Sequence, residues 1–379
     1  MLNDFRKIGK PGFSLNGRQA EFASHNGAMT SALTSLLGIE HPLIQAPMAG
    51  VQGSALAIAV SNTGALGSLP CAMLAPDALA RELQALQAGT TRPVNLNFFC
   101  HTPPEPNAAQ DARWRAALAP FYAESGLDIG AVPAGAGRVP FGHALADVIE
   151  PFRPPIVSFH FGLPSKDLLA RVKAWGGVIV ASATTVEEAQ WLEAHGADAV
   201  IAQGLEAGGH RGMFLTQDIS TQIGTMALLP QVIAAVKLPV IAAGGIANAV
   251  GVRAAMALGA SGVQVGTAYL CSDEATTSAL HRKALQSHAA QHTALTNVFS
   301  GRPARGIVNR AVRELGAISP AAPAFPLATA AIAPLRAHWE AQGSGDFSPL
   351  WSGQNASCCQ SLGAAAITQQ LLQGLAPNA

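Results

Sequence analysis

Eight short apolar runs punctuate the chain, at residues 43–46, 65–68, 94–97, 156–160, 178–181, 199–203, 240–243 and 263–266, most of them running into Gly, Pro, Asn or His. In most of them the apolar character is continuous rather than alternating, as required of strands buried on both faces. Between most of them lie patterns of helical period, at 54–61, 77–87, 166–175, 186–195, 226–236 and 249–258. Strand and helix alternating eight times predict an α/β fold, a closed (β/α)8 TIM barrel rather than an open sheet.

One barrel needs about 250 residues, and the chain has 379. The excess falls between the third and fourth strands, in the Pro-, Gly- and Ala-rich stretch 100–155, and after the eighth strand, in the helical patterns of 272–341. Insertions at the carboxyl face become lids and substrate walls. The expectation is therefore a barrel from 31–99 and 156–271, with 100–155 and 272–341 joined as a small helical subdomain over its mouth. Residues 342–379 should pack on the barrel, and the polar, aperiodic residues 1–30 should form a flexible extension.

Composition narrows the function. With 49% apolar residues and 23 basic against 23 acidic side chains, no basic face argues for nucleic acid and no charge block for a membrane surface. No apolar run reaches the length of a bilayer span, about 18 residues. The amino terminus lacks an apolar signal core, which points to the cytoplasm. Five cysteines without framework spacing fit a reduced chain, and the adjacent Cys358 and Cys359 read as ordinary tail thiols. Scattered histidines give no metal-ligand spacing, so no metal is expected. Residues 135–140 lack the third glycine and the strand-to-helix setting of a dinucleotide fingerprint.

Chemistry in such a barrel sits at the carboxyl ends of the strands. Residues 238–267 read as strand, Gly-Gly turn, helix, strand, Gly-Thr turn. Turns after the seventh and eighth strands commonly hold phosphate through backbone N–H groups, so a phosphate-bearing ligand is implied. The other ends carry Gln45-Ala46-Pro47-Met48, Asn97-Phe98-Phe99, Ser158-Phe159-His160 and the glycine-rich loop from Gln203 to Gly212. Several polar contacts thus converge on one face.

Taken together with 181–185, Ala243-Gly244-Gly245-Ile246, Gln264-Val265-Gly266-Thr267 and Pro349-Leu350-Trp351-Ser352-Gly353-Gln354, these motifs resemble class I nitronate monooxygenase, also called 2-nitropropane dioxygenase. The match runs in family order from about residue 37 to 354, and the ordered set is more specific than any one piece. The resemblance implies an FMN enzyme that oxidises alkyl nitronates, propionate 3-nitronate foremost, with O2 to a carbonyl compound and nitrite, without reducing pyridine nucleotide. Carried over by position, FMN would contact Met48, Asn97, Gln203, Gly208, Gly245, Gln264, Val265, Gly266 and Thr267, and His160 would be catalytic.

The residues themselves support those roles. Gly244-Gly245 and Gly266-Thr267 can offer amides to a phosphate without a side chain in the way, and Asn97 and Gln203 can hydrogen-bond the flavin ring or its ribityl chain. A lone histidine in apolar surroundings is more often a core residue, but the end of a barrel strand favours catalysis. His160 can hold an anionic nitronate by donating a hydrogen bond, the simpler role, or act as a base toward a neutral nitroalkane. His210 and Arg211 can face solvent or the phosphate, Ser182 and Thr184 suit a turn or helix cap, Trp351 and Gln354 can close over the flavin or pack the tail, and Tyr269 can wall the substrate. Phe98 and Phe99 are at least partly core.

Rival readings are an FMN-dependent enoyl reductase using NAD(P)H and a non-catalytic barrel that binds a phosphate ligand. An inosine monophosphate dehydrogenase-like reading fails because the 203–212 loop has no cysteine. The expected state is monomer or homodimer.

Overall fold

The computed structural model describes residues 32–132 and 138–376; the N-terminal extension and residues 135–137 lie outside them. Eleven strands follow in chain order: β1 (Leu43–Gln45), β2 (Gly67–Pro70), β3 (Val94–Phe99), β4 (Ile156–His160), β5 (Val178–Ala183), β6 (Ala199–Gln203), β7 (Gly209–His210), β8 (Val240–Ala243), β9 (Gly262–Val265), β10 (Thr293–Thr296) and β11 (Ala304–Ile307). Eight of them form one parallel sheet in the order β1-β9-β8-β6-β5-β4-β3-β2. Leu66 meets Ile44 in a parallel bridge, with Gln45 N–H donating to Leu66 C=O at 2.8 Å, and this brings the two edges together as a barrel. That closure explains a two-residue shift: Ala65 and Leu66 belong to the seam, and the ladder with β3 begins at Gly67 opposite Val94.

Alternate strand residues serve two cores, as the pleat requires. Ile44, Leu66, Ile156, Val180, Ile201 and Ile241 fill the barrel interior, which Leu33, Leu37 and Ile39 plug at the amino end. Leu43, Leu69, Val157, Ile179, Val200 and Val263 belong to the larger core with the surrounding helices. Gly67 marks the closest helix approach, because a Cβ there would lie 2.0 Å from Ala57 C=O.

The crossovers Ser54–Ser61, Pro76–Gly89, Lys166–Ala174, Val186–Ala194, Thr225–Ala235 and Ala249–Ala257 lie where the periodicity puts them. Between β3 and β4 the described residues make two α-helices. His143–Ile149 packs on Pro76–Gly89, while Ala108–Glu124 leaves the barrel to pack on Ala328–Ala341. The last ring position is filled from the tail, where Ala364–Leu372 lies against Ser54–Ser61 and Ala249–Ala257.

Over the mouth a second apolar core gathers Trp114, Leu118, Phe121 and Tyr122 with Val298, Phe299, Ile332, Leu335 and Phe347. Trp114 Nε1 donates to Ala328 C=O at 3.1 Å and Tyr122 OH to Ala331 C=O at 2.6 Å, so the buried polar tips of both rings are satisfied. This part of the molecule is not purely helical. β10, β11 and β7 form an antiparallel sheet that ties the loop after β6 to the segment after β9. Among the described residues no helix is long and apolar enough to cross a membrane, and no cluster of metal-binding side chains occurs.

Candidate active site

The carboxyl ends of the barrel strands frame a cleft of about 1350 Å³, solvent-open mouth included. Met48, Asn97, His160, Gln203, Gly208, Gly244, Gly245, Gln264, Gly266 and Thr267 all lie on its wall. Val265 does not. Its side chain is 1% exposed in the outer core, and its C=O accepts from Ala46 N–H at 2.8 Å, which seals the seam between β9 and β1.

The two turns after β8 and β9 have the features of an anion cradle. Gly244 and Gly245 adopt φ of 118° and 74°, conformations that favour glycine. The N–H groups of Gly245 and Gly266 have no acceptor among the described residues. Beside them, the Gln264 Oε1 atom is buried with no partner. Free amides at one end and an unsatisfied acceptor next to it fit a phosphorylated group carrying a flat ring with N–H donors.

Gln203 is largely engaged within the protein. Its Nε2 donates to His210 C=O at 3.0 Å and its Oε1 accepts from Gly212 N–H at 2.8 Å, so it staples the 204–212 loop over the strand end. Arg211 completes that staple and does not reach the cleft. Fully buried, it donates to Gln222 Oε1 at 2.9 Å and to the C=O groups of Gly204 and Gln203, each at 2.6 Å. Asn97 bonds Ser158 Oγ through Nδ2 at 2.9 Å, fixing the amide at the junction of β3 and β4.

His160 closes β4, and its Nε2 lies 3.2 Å from His210 C=O. A carbonyl only accepts, so Nε2 carries the hydrogen and Nδ1 keeps its lone pair. Burial, offset in part by this bond, holds the imidazole down to a pKa of about 3, so it is neutral at pH 7. This reverses the order of the two roles read from the sequence. The donor hydrogen is already used, and what the ring offers is a proton-accepting nitrogen.

Phe161 follows at φ 72°, a strained value for an aromatic residue, with its ring 3.9 Å beneath the Arg302 guanidinium. His210 stands beside His160 among Phe99, Phe161, Phe325 and Trp351, with ring centroids 5.4 to 6.2 Å away. Burial, with Arg138 and neighbouring cations, pushes its pKa well below the usual range. Its Nε2 is 2.8 Å from Ser300 Oγ, a hydroxyl able to donate or accept, so that contact leaves either tautomer open.

Other expectations divide by position. Ser182, Phe99 and Trp351 line the cleft. Thr184 is buried on Glu188, and the cap of Val186–Ala194 is Thr185. Gln354 is exposed and its N–H bonds Glu206 C=O. Tyr269 is corrected from substrate wall to core: it is 0% exposed, with its hydroxyl 2.9 Å from Thr368 Oγ1 on the tail helix. Phe98 is wholly core. The sequence missed Arg138, His281, Gly353 and Asn355, which reach the wall from the insertions and the tail and carry no strand-end signal.

Comparison with known proteins places this geometry in a family. The sequence profile described as nitronate monooxygenase matches residues 30–375. A nitronate monooxygenase of Pseudomonas aeruginosa is 42% identical over 355 residues, 92% of this chain and 99% of that one. Another, from Paraburkholderia phytofirmans, is 42% identical over 90% of this chain and 93% of its own. The crystal structure of nitroalkane oxidase from Streptomyces ansochromogenes superposes with a TM-score of 0.83 at 38% identity, covering 91% of this chain and 97% of that one.

Proposed function

The chain belongs to the nitronate monooxygenase family and is an oxidoreductase, and from this we propose that it holds one FMN non-covalently and oxidises alkyl nitronates with O2 to a carbonyl compound and nitrite. Propionate 3-nitronate is the substrate in view. The observation that carries the reading is the charge layout of the cleft, with free glycine amides at one side, neutral imidazoles at the other and no carboxylate on the wall.

FMN, when bound, supplies the electron-accepting ring. The amides of Gly245 and Gly266 bind its phosphate, and Gln264 and Asn97 orient the ring. A nitronate is already deprotonated at carbon, so its oxidation needs no base. A pKa of about 3 makes His160 a weak base for a neutral nitroalkane, since base catalysis works best with a pKa near the working pH. The anionic form is therefore the better substrate. Phe99, Phe161 and Phe325 exclude water around the two imidazoles.

The test is a visible spectrum of the purified protein, release of its ligand by heat, and anaerobic mixing with propionate 3-nitronate and, separately, with NADH and NADPH. Bleaching by the nitronate, nitrite on readmission of air and released FMN are expected. Bleaching by NAD(P)H alone would favour the reductase reading, and a colourless protein the binding barrel.

A further inference from the structure

In the ring of eight strands β3 and β4 lie diametrically across from β8 and β9. The segment after β3 is pinned to that far side, with Phe141 N–H on Phe99 C=O at 2.8 Å and His101 Nε2 on Arg138 C=O at 2.9 Å. Arg138 lines the cleft there, its Cζ 5.5 Å from the centroid of the Phe325 ring.

Among the described residues Arg138 has no counter-ion. It makes no ion pair among the described residues, and the wall around it carries no Asp or Glu. Burial alone lowers its pKa, and no acid offsets that. Three nearby arginines differ on this point: Glu188 supports Arg302, Glu206 supports Arg305, and both support Arg211. A partly desolvated cation left unpaired costs stability unless a ligand anion completes it. The phosphate-binding turns are on the opposite side of the mouth, so the cofactor phosphate is not that anion.

We propose that Arg138 sets substrate specificity by pairing with a second anionic group, a carboxylate, at the end of the substrate remote from the nitronate carbon. A planar guanidinium suits a carboxylate through paired N–H donors. The assignment rests on the nitronate-oxidising reading for its kinetic test and on charge alone for its binding test.

The kinetic test compares kcat/KM for propionate 3-nitronate and for propyl-1-nitronate, of similar length without the carboxylate, in wild type, Arg138→Met and Arg138→Lys. The selectivity ratio should fall about 10- to 100-fold in Arg138→Met, the range for losing a hydrogen bond to a charged group, and by less in Arg138→Lys. An unchanged ratio would overturn the assignment, as would equal loss on both substrates, which would place the guanidinium on the nitronate itself. The binding test is calorimetric titration of each FMN-loaded protein with succinate. Binding by wild type and the lysine variant but not by the methionine variant is expected, and equal affinity in all three would refute it. A wild type inert toward both nitronates would defeat the oxidation reading, while the succinate titration would still decide Arg138.

Discussion

The hydrogen bond from His160 Nε2 to His210 C=O decides what the ring can do, because it fixes the hydrogen on one nitrogen and leaves a lone pair on the other. Asn in its place can still donate to that carbonyl, but it has no basic nitrogen. His160→Asn is therefore expected to retain FMN and to keep most of its nitronate oxidation. If the lone pair is the base, proton abstraction from the neutral nitroalkane should drop about 10²–10⁴-fold. O2 uptake with each form of one substrate, at matched flavin content, measures this, and equal kcat/KM in both proteins would make the ring a packing residue. Cys100 allows a simpler expectation. It lies three positions past Asn97, burial pushes its thiol up, and it is not on the cleft wall. Cys100→Ser should keep full activity, and loss of turnover with FMN still bound would contradict that. Residues at strand ends were legible in the sequence because barrel geometry dictates where they point. Arg138 was not, since its place depends on how an irregular insertion folds back on β3.

Among elements, the turn after β8 is one of the two whose backbone amides the ligand would touch, and its two glycines are not equivalent. A Cβ on Gly245 would meet only the Glu206 side chain, at 3.4 Å from its Cβ and 3.6 Å from its Cγ, whereas one on Gly244 would come within 2.8 Å of Thr225 Oγ1 and 3.1 Å of two backbone atoms. Both have positive φ, a strain of about 1–3 kcal/mol for other residues. Gly245→Ala should thus weaken FMN binding about 5- to 100-fold with a modest loss of melting temperature, and Gly244→Ala should lose both stability and bound flavin. Flavin content after dialysis and thermal melts would rank the two variants, and the reverse order would show that the turn is not held as described. The same contrast explains what the sequence told about elements. Glycine turns and buried strands follow from local chemistry. β7 is two residues in a glycine-rich loop, and it is a strand only because Ala304 and Arg305 of β11 come alongside from about a hundred residues away.

At the scale of the whole molecule, barrel and mouth are joined through groups that the fold keeps uncharged, and this makes the assembly sensitive to acid. The chain's own alternation revealed the barrel, while the join was invisible because it links distant segments. His281, on Ala279–Leu285, is 4% exposed, with its Nε2 2.9 Å from the C=O of Trp351, a tail residue that also bridges to Gly306 of β11. Burial holds its pKa down to about 4, that of His160 down to about 3, and that of His210 well below the usual range. In the unfolded chain each would titrate near pH 6.5, at about its free value. Below that pH the unfolded state takes up protons that the fold refuses, so stability is complete above about pH 6.5 and falls toward pH 4, by up to about 1.4 kcal/mol per pH unit for each histidine. Urea unfolding of the holoprotein at pH 7, 6 and 5 should show this decline. His281→Gln, which can still donate to Trp351, should be less steep over the same interval by about one histidine's share, and an identical slope in the two proteins would mean that His281 is already protonated in the fold.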